Sequence, residues 1–247
     1  EALVLQLTGG VKKIMKDGTK TRGDMHILLI GDPGSGKSET LQFIAKIAPK
    51  GRLVSGKGVT AAGLSATVVK DEFLRGWALE AGALVLSNGG FCLIDELDKI
   101  GVEDTAAMHQ ALEQQIITIS KANVQATLKA ETTVLAAANP KYGRFDPYQP
   151  IASQLDMPPT LINRFDLIFP IKDIPSKELD SKIADHILRI HKKPEDIQSE
   201  VPVELFRKYI AYAKQKVIPV LSEGAMEEIK KFYVGLRNTV IEGDEKL

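Results

Sequence analysis

The sequence predicts an α/β fold: a doubly wound parallel sheet with β-hairpin inserts, followed by a small helical domain. Three observations carry this. Short, wholly apolar runs recur, as expected of strands buried on both faces. Helical repeats separate them, which favours parallel strands joined by crossovers. After about residue 174 the strand runs stop and only amphipathic helical patterns remain.

The first apolar run is MHILLI at 25–30. A glycine-rich turn follows, then a helix in which Leu41, Ile44, Ala45 and Ala48 recur at helical spacing until Pro49 ends it. FCLID at 91–95 is the second buried strand. Residues 103–115 form a helix with Met108, Ala111 and Leu112 on one face. ITIS (117–120) and VQATL (124–128) flank Lys121, Ala122 and Asn123 as a hairpin. TTVLAAAN (132–139) and LIFPI (167–171) are the third and fourth buried strands. Three amphipathic helices come next, marked by Leu179, Ile183, Ile187 and Ile190, by Phe206, Tyr209, Ala213 and Val217, and by Ala225, Ile229, Phe232 and Leu236. A linker with Pro194 and Pro202 separates the first two. The expected division is an α/β domain at 1–174 and a helical domain at 175–247, truncated at its C-terminal end. The opening EALVLQLTGGVKK reads as the back half of a helix and lacks the marks of a signal peptide, so the chain is expected to be cut from a longer one.

Lysine plus arginine number 32, and aspartate plus glutamate 32, which excludes a general basic coat for nucleic acid but leaves room for a local basic element. The single cysteine, Cys92, excludes an intrachain disulfide or a cysteine zinc cluster and fits a reducing, intracellular setting. No apolar stretch approaches the roughly 18 to 20 residues of a membrane span, so no membrane partner is expected.

Gly31-Asp32-Pro33-Gly34-Ser35-Gly36-Lys37-Ser38 is a full GxxxxGKS motif between a predicted strand and a predicted helix. Glycines let backbone amides turn inward around a phosphate, and the helix start adds unpaired N–H donors and its dipole. The expected nucleotide contacts run from Gly31 through Lys37 and Ser38 to Glu39. Lys37 places a cation on the β and γ phosphates of ATP, and the Ser38 hydroxyl ligates Mg2+. FCLID ends on Asp95 and Glu96. At a strand's carboxyl end Asp95 can hold the magnesium, and Glu96 can orient or deprotonate the attacking water. Asn139 ends the next buried strand and faces the same cleft. Arg164 precedes the last strand and is poorly placed to reach its own nucleotide. It either reaches a neighbour's γ-phosphate in a ring or pairs with Asp166.

With these residues in view, the chain resembles the ATPase module of the MCM replicative helicases, within the AAA+ superfamily. RGDMHILLIGDPG, SGKGVTAAGLSATVVKD, LEAGALVLSNGG, EQQIITISKANVQATL, AAANPKYGRFDPY, PPTLINRFDLIF and LSEGAMEEIKKFYVGLR all resemble stretches of that family. The composition is similar to that of an archaeal homohexameric member. The resemblance implies Walker A at Lys37 and Ser38, Walker B at Asp95 and Glu96, sensor 1 at Asn139, and the arginine finger at Arg164. It implies a hexameric ring around DNA with ATP at each subunit junction, unwinding and 3′ to 5′ translocation on single-stranded and forked DNA, and partners at the replication fork. It places the protein inside the cell, in cytoplasm or nucleoid if archaeal. The chain departs from the family pattern at Gly36, Leu97, Asn163 and Thr105.

Two inserts resemble the family's pore elements. One surrounds Phe73 and Leu74, which either meet DNA or pack on a neighbour; Trp77 beside them reads as packing. The other is the hairpin carrying Lys121, which the resemblance makes a DNA-binding residue. His109 reads as structural or junctional. Two other functions fit the same motifs: a AAA+ machine remodelling protein, and an ATP-binding switch without turnover.

Overall fold

The computed structural model describes residues 1–57, 61–71, 76–121, 124–146, 148–173, 175–192 and 201–242. The chain opens on α1 (Ala2–Thr8) and a small hairpin of β1 (Lys13–Ile14) and β2 (Lys20–Thr21). β3 (Ile27–Gly31) leads through a tight loop into α2 (Lys37–Ile47) and β4 (Gly51–Ser55). α3 (Ala61–Leu64) precedes a second hairpin, β5 (Ala66–Asp71) and β6 (Gly76–Ala81). Next come α4 (Ala83–Leu86), β7 (Phe91–Asp95), a 3₁₀ turn at Leu97–Lys99 and α5 (Val102–Gln114). A third hairpin, β8 (Ile116–Lys121) and β9 (Val124–Lys129), feeds β10 (Thr133–Ala138). α6 (Pro159–Ile162) and β11 (Leu167–Ile171) follow, then α7 (Lys177–Lys192), α8 (Val203–Lys216) and α9 (Glu223–Glu242).

The central sheet is parallel throughout, in the order β11-β3-β10-β7-β4. Successive side chains of a strand point to opposite faces, and both faces are covered. Leu28, Ile30, Cys92, Ile94, Val134 and Ala136 pack with Met108, Ala111 and Leu112 of α5. Ile27, Leu29, Leu93, Leu135 and Ala137 face the other way, toward Leu7 of α1, Leu41, Ile44 and Ile47 of α2, and Ile210 of α8. That double cover is why β3, β7 and β10 are nearly continuous apolar runs, broken only at their ends by Asp95 and Thr133.

Four features differ from the sequence reading. Trp77 of β6, read as packing, is 54% exposed, since the β5–β6 hairpin stands apart from the central sheet. β4 is a fifth strand that the apolar runs do not reveal, because GRLVS is a half-exposed sheet edge that needs no buried run. LIFPI, expected to be buried, forms the opposite edge: Leu167, Ile168 and Phe169 are each more than a third exposed. Pro170 offers no N–H to a further strand, which suits an edge position. In α8 the docking face is turned from the expected stripe. Ile210 is fully buried, whereas Tyr209 is 59% exposed and Val217 lies past the helix end. The insert tip at Phe73 and Leu74, the turn at Ala122 and Asn123, and Pro194 lie outside the described residues. No helix among the described residues is long and apolar enough to cross a membrane.

A polar network ties the amino ends of the strands together. His26, fully buried just before β3, accepts a hydrogen bond at Nδ1 from the Val134 amide (3.1 Å), and its Nε2 lies 3.4 Å from the Leu112 carbonyl. That pattern fits a neutral ring carrying its proton on Nε2. Asp166 accepts a fork from Arg22 (2.8 and 2.9 Å) and the His26 amide (2.7 Å). Burial raises the Asp166 pKa, but the Arg22 bond and the His26 amide outweigh it and hold the carboxyl below its usual value. Burial, with Arg22 adding to it, lowers His26 to about 4 from the usual 6.5. Between those values the unfolded chain binds the extra proton, so folding stability falls as pH drops from 6.5 toward 4. The expected loss at the end of that window is about 3 kcal/mol. Urea unfolding at pH 7 and pH 5 should read about 2 kcal/mol of it, and His26→Gln should flatten the pH slope.

Candidate nucleotide site

The site lies at the carboxyl ends of β3, β7 and β10, where a doubly wound sheet opens a crevice. A cleft of about 380 Å³ there is lined by Pro33 to Glu39, Asp95, Glu96, Ala138 and Asn139. The loop after β3 needs glycine for two reasons. A Cβ on Gly31 would stand 2.8 Å from the Ile171 carbonyl of β11. Gly34 and Gly36 have φ of +81° and +77°, the left-handed region that other residues resist.

Lys37 is the first residue of α2 and is 7% exposed. Its ammonium donates to the Gly31 carbonyl (2.7 Å), the Asp32 carbonyl (2.8 Å) and Ser35 Oγ (3.2 Å). Burial lowers its pKa, while Asp95, Asp32 and Asp98 push the other way. The cation therefore sits preorganised inside the loop. Asp32 has a role that the motif alone did not suggest. Its carboxylate accepts the amides of Phe145 (2.8 Å) and Asp173 (2.9 Å), which fastens the loop to the segments after β10 and β11. Neither Gly31 nor Asp32, both expected to contact nucleotide, lines the cleft: the Asp32 amide donates to the Ile171 carbonyl (3.2 Å) and its carbonyl accepts Lys37.

At the end of β7, Asp95 Oδ1 accepts the Glu96 amide at 2.8 Å. Glu96 holds a left-handed backbone, φ 53° and ψ 45°, costing about 1 kcal/mol for a residue with a side chain. Such strain concentrates at functional positions. The carboxylate is steered by Ser55 at the end of β4, whose hydroxyl donates to Oε2 at 2.9 Å. Asp98 accepts the Asn139 amide (3.0 Å) and thereby joins the end of β7 to the end of β10. Ser55 opens the SGKGVTAAGLSATVVKD stretch and Asp98 follows the strand-end acids, but nothing in the sequence gives either a partner in the site; strand adjacency does. Oxygen donors at Ser38 and Asp95 in one cleft suit a hard cation such as magnesium.

Arg164 does not line this cleft. It follows α6, and its Nη2 pairs with Glu113 Oε2 of α5 at 2.8 Å. The alternative partner, Asp166, is taken by Arg22 instead. His109 approaches Thr160 of α6 at 3.3 Å, a structural contact. Lys121 is exposed at the end of β8, paired in register with Val124. Gln110 of α5 clamps this hairpin: its amide nitrogen donates to Thr118 Oγ1 (2.8 Å) and its oxygen accepts the Thr118 amide (2.9 Å).

A parallel sheet in this strand order, with a GxxxxGKS loop under strand-end acids, defines a P-loop nucleotide-binding protein of the AAA+ fold. Family comparison narrows this. Residues 1–191 match the MCM P-loop domain and residues 204–246 the MCM AAA-lid domain, so the chain belongs to the MCM family. It is 46% identical over 237 residues to the minichromosome maintenance protein MCM of Saccharolobus solfataricus, covering 96% of this chain and 34% of that protein. It is 44% identical over 237 residues to the DNA replication licensing factor MCM6 of Arabidopsis thaliana, covering 96% of this chain and 28% of that one. It is 43% identical over 243 residues to the licensing factor mcm4 of Schizosaccharomyces pombe, covering 96% and 27%. The chain thus spans about a third or less of the length of these relatives.

Proposed function

We propose that this chain is the ATP-hydrolysing motor module of a homohexameric replicative helicase, acting on single-stranded and forked DNA. The α/β domain at 1–174 holds nucleotide, and 175–247 forms the helical lid. The observation that carries the reading is the convergence of Lys37, Ser38, Asp95, Glu96 and Asn139 on one cleft from three strand ends. Lys37 and the loop amides hold the phosphates, and Glu96, aimed by Ser55, takes the proton of the attacking water. Asn139 orients that water. Ser38 and Asp95 would hold magnesium, which supplies charge neutralisation on the phosphates. Arg164, outside its own cleft, serves the γ-phosphate of the neighbouring subunit. The relatives named for DNA replication support a role at the fork, in company with other replication proteins.

Two antiparallel hairpins, β5–β6 and β8–β9, stand off the central sheet, with Ser65, Gln110 and Lys121 lining a groove of about 380 Å³. Six copies of Lys121 around a pore would concentrate positive charge that the neutral composition hides. Lys121→Ala should leave basal ATP hydrolysis within about twofold, weaken DNA binding and reduce its salt slope by about one unit. Strand displacement should fall well below the parent rate. Strand displacement measured beside DNA-stimulated ATPase activity tests the whole reading. Hydrolysis that DNA does not stimulate would favour a protein remodeller, and absence of turnover a switch.

A further inference from the structure

We infer that Glu113 is a positioning residue for Arg164, setting the direction in which that arginine is presented to the neighbouring subunit's nucleotide. The inference rests on the proposed role of Arg164 in trans.

The Arg164 guanidinium is confined at its root by burial and held at one outer nitrogen by an ion pair. Its Nε is buried, with no hydrogen-bond partner among the described residues, so the root of the group is sunk in the protein. The side chain as a whole is 37% exposed, and its Nη2 donates to Glu113 at 2.8 Å. A guanidinium is planar, with five N–H donors in a fixed fork. Fixing the root and one outer nitrogen therefore fixes where the remaining donors point. A buried N–H without a partner is unfavourable, and an exposed ion pair stabilises a fold little. Stability does not account for the arrangement; direction does.

Glu113 is suited to the task because α5, though exposed at Glu113 itself, is anchored on its other sides. Met108, Ala111 and Leu112 are in the core. Gln110 is bound twice to Thr118, and His109 meets Thr160 one turn before Arg164. Arg164 itself is tied back through its amide to the Leu161 carbonyl at 3.0 Å. The carboxylate and the guanidinium thus come from two fixed elements. A phosphate oxygen can meet the outward donors while Glu113 keeps its own.

The test uses the assembled protein and three variants: Glu113→Ala, Arg164→Ala and Lys37→Ala. Glu113→Ala should lower kcat for ATP roughly ten- to hundredfold, the effect of an ångström-scale misplacement, with KM nearly unchanged, because its phosphate loop is intact. Mixed with Lys37→Ala chains, which contribute an intact Glu113–Arg164 pair, its loops should regain turnover. A merely structural defect in α5 would not be repaired by a neighbour. Full activity in Glu113→Ala, an increase in activity, or a loss that the mixture does not repair would each overturn the inference. The parallel mixture of Arg164→Ala with Lys37→Ala separates the two readings. If that mixture stays inactive although subunits exchange, the trans role of Arg164 fails, and the role of Glu113 falls with it. If it recovers while the Glu113→Ala mixture does not, only the inference about Glu113 is wrong.

Discussion

Lys37→Ala and Glu96→Gln should both lose ATP turnover by about a thousandfold or more, yet differ in what they bind. Lys37 lies inside the loop, its ammonium fixed by two carbonyls and Ser35 Oγ. Its removal takes away the cation meant for the phosphates and leaves those three acceptors without their donor. Nucleotide binding should weaken roughly tenfold to a hundredfold, as for a lost charge-assisted contact. Glu96 is on a different element, at the end of β7, and its hydrogen bonds run to Ser55 and Asp95 rather than to the loop. Glutamine has the same length and can still accept the Ser55 hydroxyl, but it cannot take a proton from water. The Glu96→Gln protein should therefore keep ATP bound without hydrolysing it. Equilibrium binding of a fluorescent ATP analogue to the two variants decides the matter. An equal loss of affinity in both would remove the assignment of Glu96 as the base.

The second large effect concerns Arg164. Alone, Arg164→Ala should be slower by about 10³-fold or more, the scale of an arginine that stabilises phosphoryl-transfer charge. It pairs with Glu113 of α5 and is absent from the cleft lining, so its own nucleotide is not its target. Mixing inactive Arg164→Ala chains with inactive Lys37→Ala chains creates some junctions with an intact loop facing an intact arginine. Those junctions should hydrolyse ATP. Assemblies that exchange subunits and remain as inactive as either parent would show that Arg164 does not act across a junction.

Much of this was legible before the structure, for a physical reason. Strands with two buried faces must be apolar throughout, so β3, β7 and β10 announce themselves. Phosphate binding imposes glycine, lysine and serine at fixed spacing, so the loop does too. An edge strand is under neither constraint. β4 carries Gly51, Arg52 and Ser55 among its five residues, and no apolar run betrays it. Ser55, the residue that steers Glu96, was hidden with it. The mistaken burial of β11 has the converse cause, since an apolar run does not say whether a sixth strand exists beside it. Partners such as Asp98 for Asn139, or Glu113 for Arg164, are set by three-dimensional adjacency and have no local signature.

The buried carboxylate of Asp32 also bears on the order in which the molecule becomes competent during synthesis. The phosphate loop is complete in sequence by Ser38, but Asp32 closes its hydrogen bonds only with Phe145, 113 residues on, and Asp173, 141 residues on. β3 itself has no neighbours in the sheet until β10 and β11 exist. A ribosome releasing the chain from its amino end thus exposes the loop long before anything can hold its shape. Parallel pairing over such separations is slow, because the intervening chain must be closed first. Capacity for nucleotide arrives late and all at once, when β11 docks. Until then the nascent chain presents unpaired apolar strands, the period in which protection from aggregation matters most.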